Sequence, residues 1–316
     1  MNMSENMDST LGMVFPGQGS QSVGMLAELA EQHAVVIDTF EEASDVLGYD
    51  LWTLVQDGPV EELNQTGRTQ PAMLAAGVAV WRVWQEQGGA TPAVMAGHSL
   101  GEYTALVCAG ALGLADATGL VAERGRCMQE AVPRGTGAMA AILGLDDASV
   151  AAVCEQAAEG RVITPVNFNS PGQVVIAGET GAVQRAIMLA REHGARRAVQ
   201  LPVSVPSHCE LMKPAAEKFA GRLRATTINP PQIPVIQNVD VVMHDDPDAI
   251  RDGLERQLYS PVQWVRTIES MAGSGVSRII EAGPGKVLSG LCKRIDKSLL
   301  AMPVYDPDTL ATAVSG

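Results

Sequence analysis

Residues 93–110, AVMAGHSLGEYTALVCAG, indicate the fold of this 316-residue chain. The segment begins with a short apolar run, turns through Gly97-His98-Ser99-Leu100-Gly101 and continues as a helical pattern. Glycines on both sides of the turn let the backbone bend sharply and let the helix pass close to the strand. Such a turn exposes the Ser99 hydroxyl at a helix N-terminus, where free N–H groups favour developing negative charge.

Two further apolar runs, residues 11–15 and 278–282, also end in glycine-rich turns that lead into helical patterns. Repeated strand-turn-helix units are typical of a parallel sheet covered by helices. The sequence therefore predicts an α/β fold, with an active site at the carboxyl ends of the parallel strands.

Residues 133–205 follow a different order, which is typical of a ferredoxin-like βαββαβ unit. We predict that they form an inserted ferredoxin-like subdomain, and that residues 1–132 and 206–316 form the parallel-sheet core. Turn-rich segments at 133–137 and 202–206 provide the two crossings between these parts. The predicted elements are strand 138–143, helix 146–158, strand 162–168, strand 173–177, helix 180–193 and strand 198–203.

The charge balance and the apolar content exclude several classes of protein. The 36 acidic and 22 basic residues give a net charge of −14, which excludes duplex nucleic acid as a partner. The longest apolar run, residues 72–81, is shorter than the ~18 residues of a spanning helix, and Met1 to Met7 lack the Lys or Arg of a secretory signal. We expect a cytoplasmic protein that does not bind membranes. Its five cysteines form no Cys-x-x-Cys pair, so no metal site is expected.

Ser99 is the candidate nucleophile, because it lies in the only G-x-S-x-G motif of the chain. The alternative is that Ser99 only caps the following helix. A nucleophilic serine needs a base, usually histidine. His208 is the candidate, because it follows the crossing at 202–206 and precedes the helical pattern at 210–223; a purely structural histidine is the alternative. The other candidates, His33, His193 and His244, lie in polar stretches, and no Asp or Glu stands out as a third member.

Arg124 lies on the apolar stripe of the helix predicted over residues 115–131. A guanidinium at such a position requires a partner. That partner is either a buried Asp or Glu of the protein or a carboxylate of the substrate. Arg126, by contrast, lies off the stripe within reach of Glu123 and Glu130, which predicts a surface ion pair. The apolar members of the stripe are Leu120, Val121, Cys127, Met128 and Ala131.

The glycine-rich loop after the first strand does not match a nucleotide-binding loop. Gly17-x-Gly19 is followed by Ser22 where a dinucleotide loop has its third glycine, and the chain has no Gly-Lys-Ser/Thr. We instead expect this loop to supply one N–H donor of an oxyanion hole, with the N–H of Leu100 as the other.

Seven segments, taken in order, closely resemble malonyl-CoA:acyl carrier protein transacylases. The similarity extends from about Leu11 to Ile295. The order in which the seven segments follow one another is far more specific than any one of them. The segments are Phe15-Pro16-Gly17-Gln18-Gly19-Ser20-Gln21, Gly97-His98-Ser99-Leu100-Gly101-Glu102-Tyr103, Arg124 with Met128, Asn167-Phe168-Asn169-Ser170-Pro171-Gly172-Gln173, Val205-Pro206-Ser207-His208-Cys209, Gln257 with Tyr259, and Glu281-Ala282-Gly283-Pro284-Gly285-Lys286.

The resemblance implies an α/β-hydrolase-like core with a ferredoxin-like insert, and a Ser-His dyad without an acidic member. It also implies a role for each matching residue. Ser99 is the nucleophile, His208 the base, the main-chain carbonyl of Gln257 the group that orients His208, Arg124 the clamp for the malonyl carboxylate, Gln18 and Leu100 the oxyanion-hole amides, and Met128 and Ser207 part of the substrate pocket.

The implied activity is ping-pong transfer of malonyl from malonyl-CoA to acyl carrier protein in fatty acid synthesis. CoA thioester is then a substrate, no cofactor is bound, and the enzyme is a monomer. One alternative is a serine hydrolase or thioesterase that uses the same dyad with water as acceptor. A second is a catalytically idle subunit that binds the carrier protein.

Both implied partners are anionic, although the chain is itself acidic. Docking depends on local patches of charge, so we expect a basic rim around the cleft. We predict that Arg196 and Lys286 flank the cleft and contact the carrier or the CoA phosphates. They belong to two groups of cations, Arg191, Arg196 and Arg197 on the insert, and Lys286, Lys293, Arg294 and Lys297 near the C-terminus.

Overall fold

A computed structural model of the protein describes residues 6–133, 135–203 and 205–315. Residues 1–5 and Gly316 of the predicted core, and Arg134 and Ser204 at the two predicted crossings, lie outside the described residues. The described chain forms two separate sheets. Its strands are β1 Met7–Phe15, β2 Thr91–Gly97, β3 Gly137–Leu143, β4 Ile163–Ser170, β5 Gln173–Glu179, β6 Arg197–Gln200, β7 Val235–Ile236, β8 Arg278–Ala282 and β9 Leu300–Val304.

The larger sheet is parallel throughout and has the strand order β7-β2-β1-β8-β9. The predicted strands of the core are confirmed as β1, β2 and β8. The last five residues of β1 are all buried, as expected for a central strand covered by helices on both faces. The sequence patterns missed β7, which has only two residues, and β9, which contains Pro303 and lies at the sheet edge, where proline is tolerated.

Helices cover this sheet, and the longest of the described helices, α5, is mostly buried. α5 contacts α2, α6 and α7, so the long apolar run of the sequence forms a core helix. None of the described helices is both long enough and apolar enough to cross a membrane. The helices are α1 Ala27–Gln32, α2 Ala34–Leu47, α3 Leu51–Asp57, α4 Val60–Leu63, α5 Thr66–Glu86, α6 Gly101–Cys108, α7 Leu114–Ala131, α8 Asp147–Ala158, α9 Thr180–Glu192, α10 Lys213–Ala225, α11 Pro247–Gln257, α12 Trp264–Gly273, α13 Val287–Ile295 and α14 Pro307–Ser315, with a 3₁₀ turn at Glu210–Met212.

The smaller sheet is antiparallel, with strand order β4-β5-β3-β6, and α8 and α9 pack together against it. All six elements predicted between residues 138 and 203 are present in the predicted order. The last strand is shorter than predicted and ends at Gln200. Leu201 still donates its N–H to the carbonyl of Met139 at 2.9 Å, but Pro202 has no N–H to continue the ladder.

The two sheets meet through β4, which carries main-chain bonds to the core. Phe168 donates to the carbonyl of Val262 at 3.1 Å, and Val262 donates to that of Val166 at 2.9 Å. Cys209 packs on the inner face of the small sheet in a separate apolar cluster. These contacts place the small sheet beside the carboxyl ends of β1 and β2, with a cleft between the sheets.

Candidate active site

The Ser99 turn joins β2 to α6 and depends on its two glycines. Ser99 has a φ of 53°, in the left-handed region. A Cβ at Gly97 would overlap the main chain of Gly101, and a Cβ at Gly101 would overlap the main-chain oxygen of Phe15. The side chain of Asn238 holds the turn, since it accepts from Ser99 N–H at 2.7 Å and donates to Gly97 O at 2.7 Å.

The candidate base lies next to the candidate nucleophile. His208 Nε2 is 2.8 Å from Ser99 Oγ, and His208 Nδ1 is 2.7 Å from the carbonyl oxygen of Gln257. Because a carbonyl only accepts, Nδ1 carries the proton and Nε2 accepts from the Ser99 hydroxyl. Ser99 does not cap the helix through its side chain in the described structure: its hydroxyl bonds with His208 and Arg124, no main-chain N–H of α6 donates to it, and the N-cap of α6 is Leu100.

His208 is held in its neutral form. It is 3% exposed, and burial first, then the positive charge of Arg124, lower its pKa to about 3. A neutral imidazole is the form that can take a proton from serine.

Two main-chain N–H groups next to Ser99 are available to a ligand. Gln18 and Leu100 both line the same cavity, and among the described residues no group accepts from either N–H. The Gln18 loop packs tightly on the turn, since a Cβ at Gly17 would overlap the main-chain oxygen of His98. Both N–H groups expected to form an oxyanion hole thus lie at the cavity without a protein acceptor among the described residues, and their role stays a prediction.

Arg124 is buried beside the nucleophile and is held by neutral groups. It is 1% exposed; Nη1 donates to Gln70 Oε1 at 2.8 Å, and Nη2 donates to Gln257 Oε1 at 2.8 Å and approaches Ser99 Oγ at 3.3 Å. In the part of the chain that the structure describes, no Asp or Glu forms a salt bridge with Arg124, and its Nε has no acceptor. The structural ion pair considered from the sequence is absent there, and the charge is left for a ligand.

A cavity of about 260 Å³ opens above these groups and is lined by both sheets. Met128 and Ser207 line it, as the resemblance implies, and the side chain of Met128 accepts from Gln70 at 3.5 Å. His98 Nε2 lies 2.8 Å from Asn169 Oδ1 on β4, so a side-chain bond links the Ser99 turn to the small sheet across this cavity.

The two cations predicted to dock the partners are exposed, but neither lines the cavity. Lys286 immediately precedes Val287, which does line it. Arg196 packs its main chain on Gly144, at the end of the small sheet that also carries the cavity residue Gln173. Neither residue lies inside the site, and their role in docking stays a prediction.

Sequence reasoning missed three polar residues of the site: Gln70, Asn238 and Glu102. Glu102 is fully buried and accepts from Asn238 N at 2.8 Å, from Gln257 Nε2 at 2.9 Å and from Gln237 Nε2 at 3.1 Å. Burial raises the pKa of Glu102 to about 7, although the hydrogen bonds from these three donors lower it. A signal was present, because Glu102 is a charged residue in a helix otherwise made of apolar and small residues, the same anomaly that singled out Arg124.

The fold and the site agree with a known class of proteins. The family model described as the acyl transferase domain matches residues 13–306, almost the whole chain. The chain therefore belongs to the acyl transferase family.

Its relatives within that family carry a more specific name. The chain is 62% identical over 301 residues to the malonyl CoA-acyl carrier protein transacylase of Escherichia coli K12, covering 95% of this chain and 97% of the relative. It is 63% identical, with a TM-score of 0.94, to an acyl carrier protein S-malonyltransferase from Vibrio cholerae, covering 96% and 99%. A malonyl-transacylase solved in complex with its type II PKS acyl-carrier protein is 58% identical, with a TM-score of 0.96 and coverage of 96% and 99%.

Proposed function

We propose that this chain transfers malonyl from malonyl-CoA to the phosphopantetheine thiol of acyl carrier protein, and thereby supplies fatty acid synthesis. The names of its relatives support this activity over nearly the full length of both chains. The observation that carries the proposal is Arg124. Among the described residues, this buried guanidinium donates to two amide oxygens and, at 3.3 Å, to the candidate nucleophile, and to no carboxylate; it is therefore suited to an acyl group that ends in a carboxylate.

In the first half-reaction, His208 Nε2 takes the proton of the Ser99 hydroxyl as Oγ attacks the thioester carbonyl of malonyl-CoA. The tetrahedral oxyanion accepts hydrogen bonds from the N–H groups of Gln18 and Leu100, while Arg124 binds the free carboxylate. The C–S bond then breaks, and the CoA thiolate takes the proton from His208. The product is malonyl-Ser99.

In the second half-reaction, His208 takes the proton of the phosphopantetheine thiol as its sulfur attacks malonyl-Ser99. The bond between Oγ and the acyl carbon breaks, and Ser99 recovers its proton from His208. The carbonyl of Gln257 keeps Nδ1–H in place throughout, which supports a Ser-His dyad without an acidic third member.

Intact-mass measurement after incubation with malonyl-CoA tests this mechanism. We expect a stable malonyl adduct on the wild type, none on Ser99→Ala, and loss of the adduct when holo carrier protein is added. An adduct on Ser99→Ala would exclude Ser99 as the nucleophile. Rapid CoA release without carrier and without an adduct would favour the hydrolase alternative, and tight carrier binding without CoA release would favour an idle binding subunit.

The proposal extends to the organisation of the molecule. We assign residues 133–205 to a ferredoxin-like subdomain, supported by the βαββαβ order and the strand order β4-β5-β3-β6, and residues 1–132 and 206–316 to an α/β-hydrolase-like core. The enzyme acts as a cytoplasmic monomer without a bound cofactor. Five unpaired, buried cysteines support a reducing compartment.

We further propose that Lys286 and Arg196 contribute to docking of the anionic carrier or of the CoA phosphates. Exposure of both side chains near the cleft and the overall acidity of the chain support a local basic rim. Charge reversal at both positions should raise the KM for carrier protein, and an unchanged KM would contradict this assignment.

A further inference from the structure

Glu102 is a buried carboxylate that contacts none of the reacting atoms. It lies three residues after Ser99 on α6 and is fully buried. Every hydrogen bond that it makes in the described structure is accepted from an N–H group of Asn238, Gln257 or Gln237. Burying a carboxylate costs free energy that these bonds offset. Its partners show what the carboxylate does.

The first partner, Gln257, holds both the base and the clamp. Its main-chain carbonyl orients His208, and its side-chain Oε1 accepts from Arg124 at 2.8 Å. Its side-chain Nε2 donates to Glu102 at 2.9 Å and to the carbonyl of Ser99 at 3.0 Å. An amide has one oxygen and one nitrogen, so a carboxylate that takes Nε2 requires Oε1 to face Arg124.

The second partner, Asn238, holds the nucleophile. Its main-chain N–H donates to Glu102 at 2.8 Å, and its side chain makes the two bonds that fix the main chain of Ser99 and Gly97. The left-handed conformation of Ser99 therefore depends on a residue that Glu102 fixes in place.

We propose that Glu102 is the positioning residue of this site: by accepting from Gln257 and Asn238 together, it orients His208, Arg124 and the Ser99 turn at once. The inference rests on the proposed acyl transfer. It assigns to the site an acidic group that acts through an amide side chain and not on the imidazole directly. In this role, the essential property of Glu102 is that its carboxylate accepts hydrogen bonds from Gln257 and Asn238 at a fixed position.

Glu281 provides a matched control. It is also fully buried, and it accepts from two main-chain N–H groups, those of Leu288 at 2.9 Å and Ser289 at 2.7 Å, where Glu102 accepts from one main-chain and two side-chain N–H groups. Those bonds cap the start of α13, and Glu281 makes no bond to Gln257, Asn238 or any other residue that holds the dyad. Loss of either carboxylate leaves buried donors without an acceptor and should lower Tm to a similar degree.

The experiment compares Glu102→Met, Glu102→Gln and Glu281→Met. Active sites are counted by the malonyl-Ser99 adduct, and kcat is measured at saturating malonyl-CoA and carrier. We expect Glu102→Met to lower kcat about tenfold to a hundredfold, as displaced catalytic groups do. Glu281→Met should lower Tm and reduce kcat far less than Glu102→Met does, because Glu281 holds the start of α13 and none of the groups that hold His208, Arg124 or the Ser99 turn. Glu102→Gln should recover most of the lost kcat, because an amide oxygen in the place of Glu102 Oε2 can accept from both Gln257 and Asn238. Its N–H groups then take the place of Oε1, which accepts from Gln237 Nε2, and the Gln237 amide must turn over so that its Oε1, unpartnered among the described residues, accepts from them.

Two results would overturn the inference. One is a folded Glu102→Met enzyme with the kcat of wild type. The other is a Glu102→Gln enzyme as slow as Glu102→Met, because the charge and not the geometry would then be required. If Glu102→Met does not fold, Gln257→Ala provides a second test, because it removes the side chain between Glu102 and Arg124 but keeps the main-chain carbonyl that orients His208. We expect Gln257→Ala to lower kcat to a similar extent. A Gln257→Ala enzyme with the kcat of wild type would also refute the inference. Failure of the proposed function is distinct, because the wild type would then form no adduct.

Discussion

The inner and outer faces of α7 carry two arginines with opposite surroundings. On the inner face, Arg124 is buried, and in the described part of the chain only amide oxygens and the Ser99 hydroxyl accept from it. On the outer face, the side chain of Arg126 is 55% exposed and forms ion pairs with Glu123 and Glu130. The outer arginine is paired with carboxylates of its own helix, whereas among the described residues no carboxylate contacts the inner arginine directly.

The difference shows how a protein keeps a buried cation available for a ligand. Carboxylate partners would stabilise Arg124 but would also compete with a substrate carboxylate. Amides satisfy the N–H donors and add no opposing charge. The energetic cost is the burial of a charge, and burial lowers the pKa of Arg124.

Removing the inner arginine should give the largest effect. A charge-assisted pair with a carboxylate contributes roughly 1.5–3 kcal/mol, or about tenfold to a hundredfold in kcat/KM. We therefore expect Arg124→Ala to lower kcat/KM for malonyl-CoA by that factor and to affect acetyl-CoA much less. Initial rates with the two thioesters measure this. Equal losses on both would make Arg124 a structural residue.

Giving the inner arginine an acidic partner should make it resemble the outer one. In Gln70→Glu a carboxylate replaces the amide that accepts from Nη1. We expect kcat/KM for malonyl-CoA to fall by about tenfold, because the new charge repels the substrate carboxylate. Gln70→Met, which removes the acceptor without adding charge, is the control and should lose less. A Gln70→Glu enzyme that keeps its preference for malonyl-CoA would contradict the role of neutral partners.

The inner arginine should also affect acid stability. Burial and then Arg124 lower the pKa of His208 to about 3 from 6.5, so the unfolded chain takes up that proton first as the pH falls. The contribution of His208 to the free energy of unfolding is thus lost between these two values, about 2 kcal/mol of it by pH ~5.

Arg124→Met removes the positive charge that, after burial, lowers the pKa of His208, so that pKa rises. The pKa of Glu102, which Arg124 lowers, also rises and acts in the same direction. The change in the free energy of unfolding from about pH 7 to about pH 5, measured by denaturant unfolding, should therefore be more favourable to the folded state in Arg124→Met than in the wild type. Arg126→Met should behave like the wild type over this range. A larger acid loss in Arg124→Met would show that the arginine does not depress the pKa of His208.

Removing the outer arginine should have the smallest effect. Exposed ion pairs contribute little because solvent screens them, so Arg126→Ala should leave the free energy of unfolding almost unchanged. Its kcat/KM for malonyl-CoA should match that of wild type. A loss comparable with that of Arg124→Ala would mean that the outer face also takes part in substrate binding.

Sequence patterns located the Ser99 turn and the small sheet well because both depend on local features. Glycines at 97 and 101 and an apolar run before them specify the turn, and alternating strand and helix patterns specify the βαββαβ order. The two-residue strand β7 was missed, since so short a run has no periodicity of its own.

The amides of the site could not be predicted. Gln70 and Asn238 occur in the sequence without any pattern, because an amide can serve equally well at a surface or in a core. Glu102 was overlooked for a different reason. Its place next to the serine motif suggested no partner, although its burial on α6 was predictable from the apolar residues around it.

The sequence by itself determined the sharp turn that exposes Ser99, the arginine on an apolar stripe and the order of elements, because these follow from backbone sterics and from the periodicity of neighbouring residues. Only the tertiary structure decided which groups meet. Arg124 reaches Ser99 across 25 positions of the chain, and Gln257 reaches Ser99 across 158. A hydrogen bond requires atoms within about 3 Å, and such contacts between distant segments are set by how the helices and the two sheets pack.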